Sequence, residues 1–234
     1  MKRLLYISIL AALLCGCTPA DNKGQGSTTD TISIDSVDNV VVADPEPAEP
    51  ESEPEPPFTS PDLKFNRLQG HVKQVEETAF VTSYNDKETS HSVSLFSKEG
   101  VWILDKGIEI KRNKKGQIFQ MVAYEDDEFP WISEYKYNSD GYVYYETLNI
   151  DYEDFLYFQY QLNDNGWIVS CKCRKEEVGG GVYARYTEKY NYSDIDEQGN
   201  WRKCVVTRKI EAVFDEDKPF TEKDVFTRKI TYWK

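Results

Sequence analysis

EDDE at 125–128, DYED at 151–154 and DEDK at 215–218 gather acids at three points of the chain. Two carboxyl groups about 5–10 Å apart across a cleft would hydrolyse a glycosidic bond. Neighbouring acids in a loop point apart and stay solvated. Among 41 acids, clusters arise by chance and assign no catalytic residue. The two histidines, His71 and His91, stand in no metal-ligand spacing. Asp194, Asp196, Gln198 and Gly199 match the first positions of a calcium loop, but Val205 stands where the bidentate Glu belongs, so a turn is the better account. G-x-S-x-G, phosphate-loop and dinucleotide fingerprints are missing from the sequence. The reading assigns no catalytic residue, no metal and no cofactor.

A different chemistry is written at the start. MKRLLYISILAALLCGC has two bases, an apolar run of eleven residues from Leu4 to Leu14, and small residues. A spanning helix needs about 20 apolar residues, so the segment reads as a secretory signal. Leu14-Cys15-Gly16-Cys17 resembles the lipobox of bacterial lipoproteins. The resemblance implies cleavage before Cys17 and a diacylglycerol on its thiol. Thr18 in place of Asp implies the outer membrane, with the periplasmic or surface face left open. Acyl chains contribute about 0.8 kcal/mol per buried methylene, so two or three of them anchor stably.

The net charge of −13 is unevenly spread. Residues 1–16 form the signal. Residues 17–62 hold eleven acids and one Lys, rich in Thr and Ser and then in Pro and Glu, and read as a disordered, lipidated tether. Residues 63–234 hold thirty acids and twenty-five bases, a balance that argues against nucleic acid as partner.

From Leu68 onward Tyr, Phe, Trp, Val, Ile and Thr alternate in short runs. The pattern predicts twelve strands, near 71–80, 91–97, 101–104, 108–112, 117–124, 131–138, 142–149, 155–162, 167–175, 182–192, 201–214 and 225–233. The fold class is all-β: an antiparallel meander of hairpins, a strongly twisted open sheet or a partial barrel. Strand 182–192 then separates Cys171 and Cys173 from Cys204 by about 9.6 Å, too far for a disulfide. Three free, mostly buried thiols are expected.

Turn glycines recur at Gly100, Gly116, Gly141, Gly166 and Gly199. An apolar residue stands two positions after each: Trp102, Ile118, Val143, Ile168 and Trp201. YKYNSDGYV at 135–143 and YQLNDNGWI at 160–168 are the best copies of a phrase that resembles the tyrosine–aspartate repeats, with Asn138 and Asn163 in place of Asp. A lead such as LQGHVKQVEETAF and a final ITYW also resemble bacterial lipoproteins built from such hairpins. The resemblance implies repeated hairpins and carries no enzymatic activity. Asn or Asp and Gly are expected to close each hairpin through left-handed φ.

Alternation puts Tyr142 and Tyr144 on one face of their strand and Val143 and Tyr145 on the other, with Trp167 opposite Ile168. Both faces are thus apolar, so either the sheet curls or one face meets a partner. Tyr142, Tyr144 and Trp167 are the candidate binding residues, an aromatic face for an envelope protein or glycan. The expected function is a membrane-anchored, non-enzymatic binding or scaffolding module. The alternative is a glycan-processing hydrolase using a carboxylate pair on a concave sheet face.

Overall fold

In the computed structural model the described residues are 58–83, 86–125, 129–150, 154–177, 181–211 and 219–234. The expected signal, Cys17 and the expected tether as far as residue 57 lie outside them, as do residues 126–128, 151–153 and 215–218 of the acid runs.

All twelve expected strands are present. They are β1 Val72–Ser83, β2 Asp86–Phe96, β3 Trp102–Ile103, β4 Ile108–Arg112, β5 Ile118–Glu125, β6 Phe129–Tyr137, β7 Val143–Ile150, β8 Asp154–Leu162, β9 Ile168–Glu177, β10 Gly181–Ile195, β11 Trp201–Ile210 and β12 Phe220–Tyr232. They form one antiparallel sheet in the order β3-β2-β1-β12-β11-β10-β9-β8-β7-β6-β5-β4. Every ladder joins strands consecutive in sequence except β1 with β12.

The edge strands β3 and β4 are themselves consecutive, joined through residues 104–107. A flat sheet of this size would be roughly 53 Å across, at about 4.8 Å per strand. The link spans five Cα steps, at most about 18 Å. The sheet must therefore curl until its edges approach. β3 and β4 share no ladder, so it stops short of a closed barrel. Cys171, Cys173 and Cys204 are free and buried, with β10 between their strands.

One short helix, α1 (Pro61–Phe65), spans the seam between those edges. Ser60 caps it, accepting from Leu63 N at 3.1 Å, and Pro61 opens it. The Asp62 carboxylate is buried. It accepts from Trp102 N of β3 at 2.8 Å and from both Nη atoms of Arg112 of β4, Nη2 at 2.8 Å. This pairing holds the Arg112 guanidinium above its ordinary range. Residues 58–62, read from sequence as tether, thus belong to the packed domain. Leu63, Phe65 and Leu68 join Val72, Phe96, Trp102, Ile118 and Val143 in the largest apolar cluster.

The five repeat turns share one design. Ser97, Asn113, Asn138, Asn163 and Asp196 each accept, through a side-chain oxygen, from the backbone N–H groups two and four residues on, at 2.9–3.3 Å. The glycine supplies the left-handed φ, +73° to +86° in the five. This corrects the expected mechanism. The Asn or Asp works through side-chain hydrogen bonds, as in an Asx turn, and among the described residues the only non-glycines at positive φ are Arg67 and Asp194. The residue four before each glycine pairs with the residue two after it: Phe96 with Trp102, Arg112 with Ile118, Tyr137 with Val143, Leu162 with Ile168, Ile195 with Trp201.

The turns gather around α1. Ser60 Oγ donates to Gly100 O at 2.7 Å, Lys64 Nζ to Asp140 O at 2.8 Å, and Asn200 exchanges two bonds with the Gln69 backbone, both 2.8 Å. The remaining two lie close by. Pro61 approaches Gly116, and the ring of Tyr142 lies so close over Gly166 that a Cβ there would meet it at 2.3 Å.

Candidate functional site: a cavity inside the curled sheet

Register brings charged residues inward. Tyr160, Cys171, Glu188, Arg208 and Glu222 are successive partners across β8 to β12. Arg208 is buried beside three acids and over the ring of Tyr186. Its Nε donates to Glu188 Oε1 at 2.8 Å, Nη2 lies 3.0 Å from Asp224 Oδ2, and Nη1 lies 3.5 Å from Glu222 Oε2. Thr82 N donates to the other Asp224 oxygen at 2.9 Å. Burial outweighs these partners at Asp224 and holds its carboxyl above the ordinary range.

Between this charge layer and the end of α1 lies a cavity of about 130 Å³. Phe65, Asn66, Arg67 and Glu188 are among the residues that line it. Aromatic rings and aliphatic side chains form most of the wall, with Glu77, Glu146 and Arg228 among them. Tyr160 donates to Glu146 Oε2 at 2.8 Å and Tyr190 to Glu188 Oε2 at 2.5 Å. Tyr192 donates to Ile168 O at 2.8 Å. Arg228 donates to Glu77, its cross-strand partner, at 2.6 Å and stacks on Trp201, 3.7 Å from the ring centroid.

The electrostatics follow from burial. Loss of water pushes the Glu146 carboxyl up, partly opposed by the Tyr160 hydroxyl and the Arg67 charge. The Tyr135, Tyr160 and Tyr190 hydroxyls are held well above their ordinary range by the same desolvation, so they stay protonated donors. Burial raises the Cys171 and Cys173 thiols and pushes Cys204 up to about 12. A thiol nucleophile needs the opposite environment. Among the described residues, no group of three or more His, Cys, Asp or Glu is arranged to hold a metal ion.

The expected aromatic face is not formed, which corrects the reading of Tyr142, Tyr144 and Trp167. Trp167 is buried, 6% exposed, with Trp201, Cys204 and Val206. Tyr142 is half-buried over Gly166, with Lys64 Nζ 5.4 Å from its ring centroid. Tyr144 alone faces solvent, 40% exposed. The physical reason is a bulge. Register shifts in three hairpins leave Phe119, Tyr144 and Val169, each three residues after its glycine, without partners and turned outward. The bulge resets the alternation, so Val143 and Glu146 both point in. These exposed residues sit on every second strand, roughly 9.6 Å apart, and make no continuous patch.

Sequence reasoning missed Arg67, Glu77, Glu146, Glu188, Arg208 and Arg228. A signal existed for Glu188, which falls in the two-residue period of Tyr186, Tyr190 and Tyr192. Of the acid runs, Asp154 pairs with Lys175. Of the calcium-like loop, Asp196 serves its turn and accepts from the Tyr232 hydroxyl at 2.6 Å.

No known protein family matches the chain, and no curated protein matches it either. Among solved structures, a porin-like protein from Bacteroides uniformis ATCC 8492 aligns over 68% of this chain and 96% of its own, at 10% identity and a TM-score of 0.26. A likeness that weak carries no argument about fold or function.

Proposed function

We propose that this chain is an outer-membrane lipoprotein, anchored through Cys17, whose β domain is a non-enzymatic binding module for a small molecule. The lipobox-like LCGC and the acidic tether support the anchor. The cavity supports the binding role: it is aromatic-walled, concave, and carries a few placed polar groups. That cavity, rather than an outer aromatic face, is the ligand site.

The hydrolase alternative has acids in the right place, since Glu146 and Glu188 both line the cavity. The space does not suit it. An engineered cavity of about 150 Å³ holds benzene, and a sugar ring with its hydroxyls is larger. Glu188 is also committed to Arg208 and Tyr190.

Two measurements test the reading. Cys17→Ala is expected to move the chain from the membrane pellet to the soluble fraction; a variant that stays in the pellet removes the anchor. Native mass spectrometry of the chain, exposed to the small-molecule fraction of an envelope extract, is expected to find a retained low-mass adduct. A chain that never gains mass overturns the binding role.

A further inference from the structure

We propose that the cavity receives a short-chain monocarboxylate of about six heavy atoms, held by the Arg67 guanidinium; this rests on the cavity being the ligand site. Arg67 sits at φ +56°, the left-handed position that closes α1 just after its C-cap Asn66, with Leu68 N donating to Leu63 O at 2.8 Å. Here the side chain lines the cavity.

The Arg67 charge is the least answered of the interior guanidiniums. Arg208 and Arg228 each have carboxylate partners. Arg67 donates through Nη1 to Phe65 O at 3.3 Å and through Nη2 to Val143 O at 3.2 Å. Its Nε is buried and, among the described residues, finds no hydrogen-bond partner. The Tyr160, Tyr190 and Tyr192 hydroxyls at the same cavity already donate to Glu146, Glu188 and Ile168 O. Arg67 thus offers the cavity a planar, cationic donor group with a buried, unpartnered N–H. A carboxylate matches that fork in charge and shape.

Size and wall chemistry narrow the class. Benzene, with six heavy atoms, occupies an engineered cavity of about 150 Å³, and this one is about 130 Å³. Phe158, Val206 and Phe226 offer apolar surface for a short alkyl tail. One group opposes the ligand. Glu146 feels the Arg67 charge and lines the same space, so it competes with an incoming carboxylate. The other titratable groups that feel Arg67 are Tyr137, Tyr142, Tyr160 and Tyr192, whose raised hydroxyls stay neutral.

The test is calorimetric titration of the full-length chain with butyrate and with butyramide, its neutral isostere. Butyrate is expected to bind at least about tenfold more tightly, the scale of one charge-assisted hydrogen bond. Arg67→Asn, which tolerates the left-handed backbone, is expected to weaken butyrate by a similar factor and leave butyramide unchanged. Glu146→Gln, which keeps an acceptor for Tyr160, is expected to tighten butyrate. Equal binding of the two compounds, or butyrate binding untouched by Arg67→Asn, overturns the carboxylate assignment while leaving the cavity as a binding site. Failure of both compounds to bind overturns the assignment too, and only a chain that also gains no adduct from the extract overturns the binding role. If Arg67→Asn does not fold, Glu146→Gln decides, and unchanged or weaker butyrate binding counts against the proposal.

Discussion

Arg208→Leu is expected to destabilise the domain by about 3–5 kcal/mol at neutral pH, the usual effect of removing one partner from a buried ionic cluster. For a domain of this size that lowers the unfolding midpoint by roughly 6–20 °C. The cause is specific. Glu188, Glu222 and Asp224 share that guanidinium, and all three are buried. Without it, three carboxylates sit close together away from water. The pH dependence then has a definite sign. Asp224 already has a folded-state carboxyl above its ordinary value, because burial wins. A group raised on folding contributes stability that is present below its unfolded value and lost as pH rises through its folded one. Removing the cation raises it further. The variant should therefore come nearest to the parent around pH 4 and fall furthest behind above pH 7. Urea unfolding at both pH values measures this. A deficit that is small at pH 7, or that grows on acidification, would mean the layer is hydrated and the burial argument is wrong.

Asp62→Ala should open the seam. The carboxylate is the link between the two sheet edges, taking the Trp102 N–H on one side and the Arg112 fork on the other. Its loss strands a buried backbone donor and leaves the solvent-exposed Arg112 without its carboxylate, for about 2–3 kcal/mol. The loss is local as well as global. β3 has only two residues, held besides this contact by the ladder from β2 and by the packing of the Trp102 ring in the apolar cluster. Hydrogen exchange at the Trp102 amide should accelerate far more than at Val206 N–H in the middle of the sheet. A cycle with Arg112→Ala should show strong coupling, because the two side chains act together. Uniform acceleration at both amides, or additive effects of the two substitutions, would show that the edges are held by packing alone.

Much of the fold was legible because strand alternation and turn chemistry are local. NSDG at 138–141 and NDNG at 163–166 announce hairpins, and the meander follows by joining them. Three things were not local. The helix Pro61–Phe65 is too short to show a 3.6-residue period, although Ser60-Pro61 is a readable start signal. The bulge at Tyr144 cannot be seen in YVYYE, because every residue there suits a strand on either face. That ambiguity hid Glu146, and the matching bulge at Val169 separated Trp167 from the outward face. The third is the register of β12 against both β1 and β11, which sets Arg228 beside Glu77 and Arg208 beside Glu222. A rule that sends charges outward fails wherever distant strands supply their partners.

The position of β12 has a consequence for the order in which the domain can assemble. The hairpins from β4 to β11 pair in sequence, and so do β1 to β3, but among the described strands the ladders that join the two groups run through β12. β12, last in chain order among the described strands, is thus the keystone of the sheet. Until it emerges, β1 and β11 are both open edges, with a loop of some 140 residues to be closed between the blocks, an entropic barrier that late, non-local pairing must overcome. The nascent chain cannot complete itself piecemeal. Its two halves wait for β12, and a chain cut short before Phe220 would be left with two sticky borders instead of one continuous sheet.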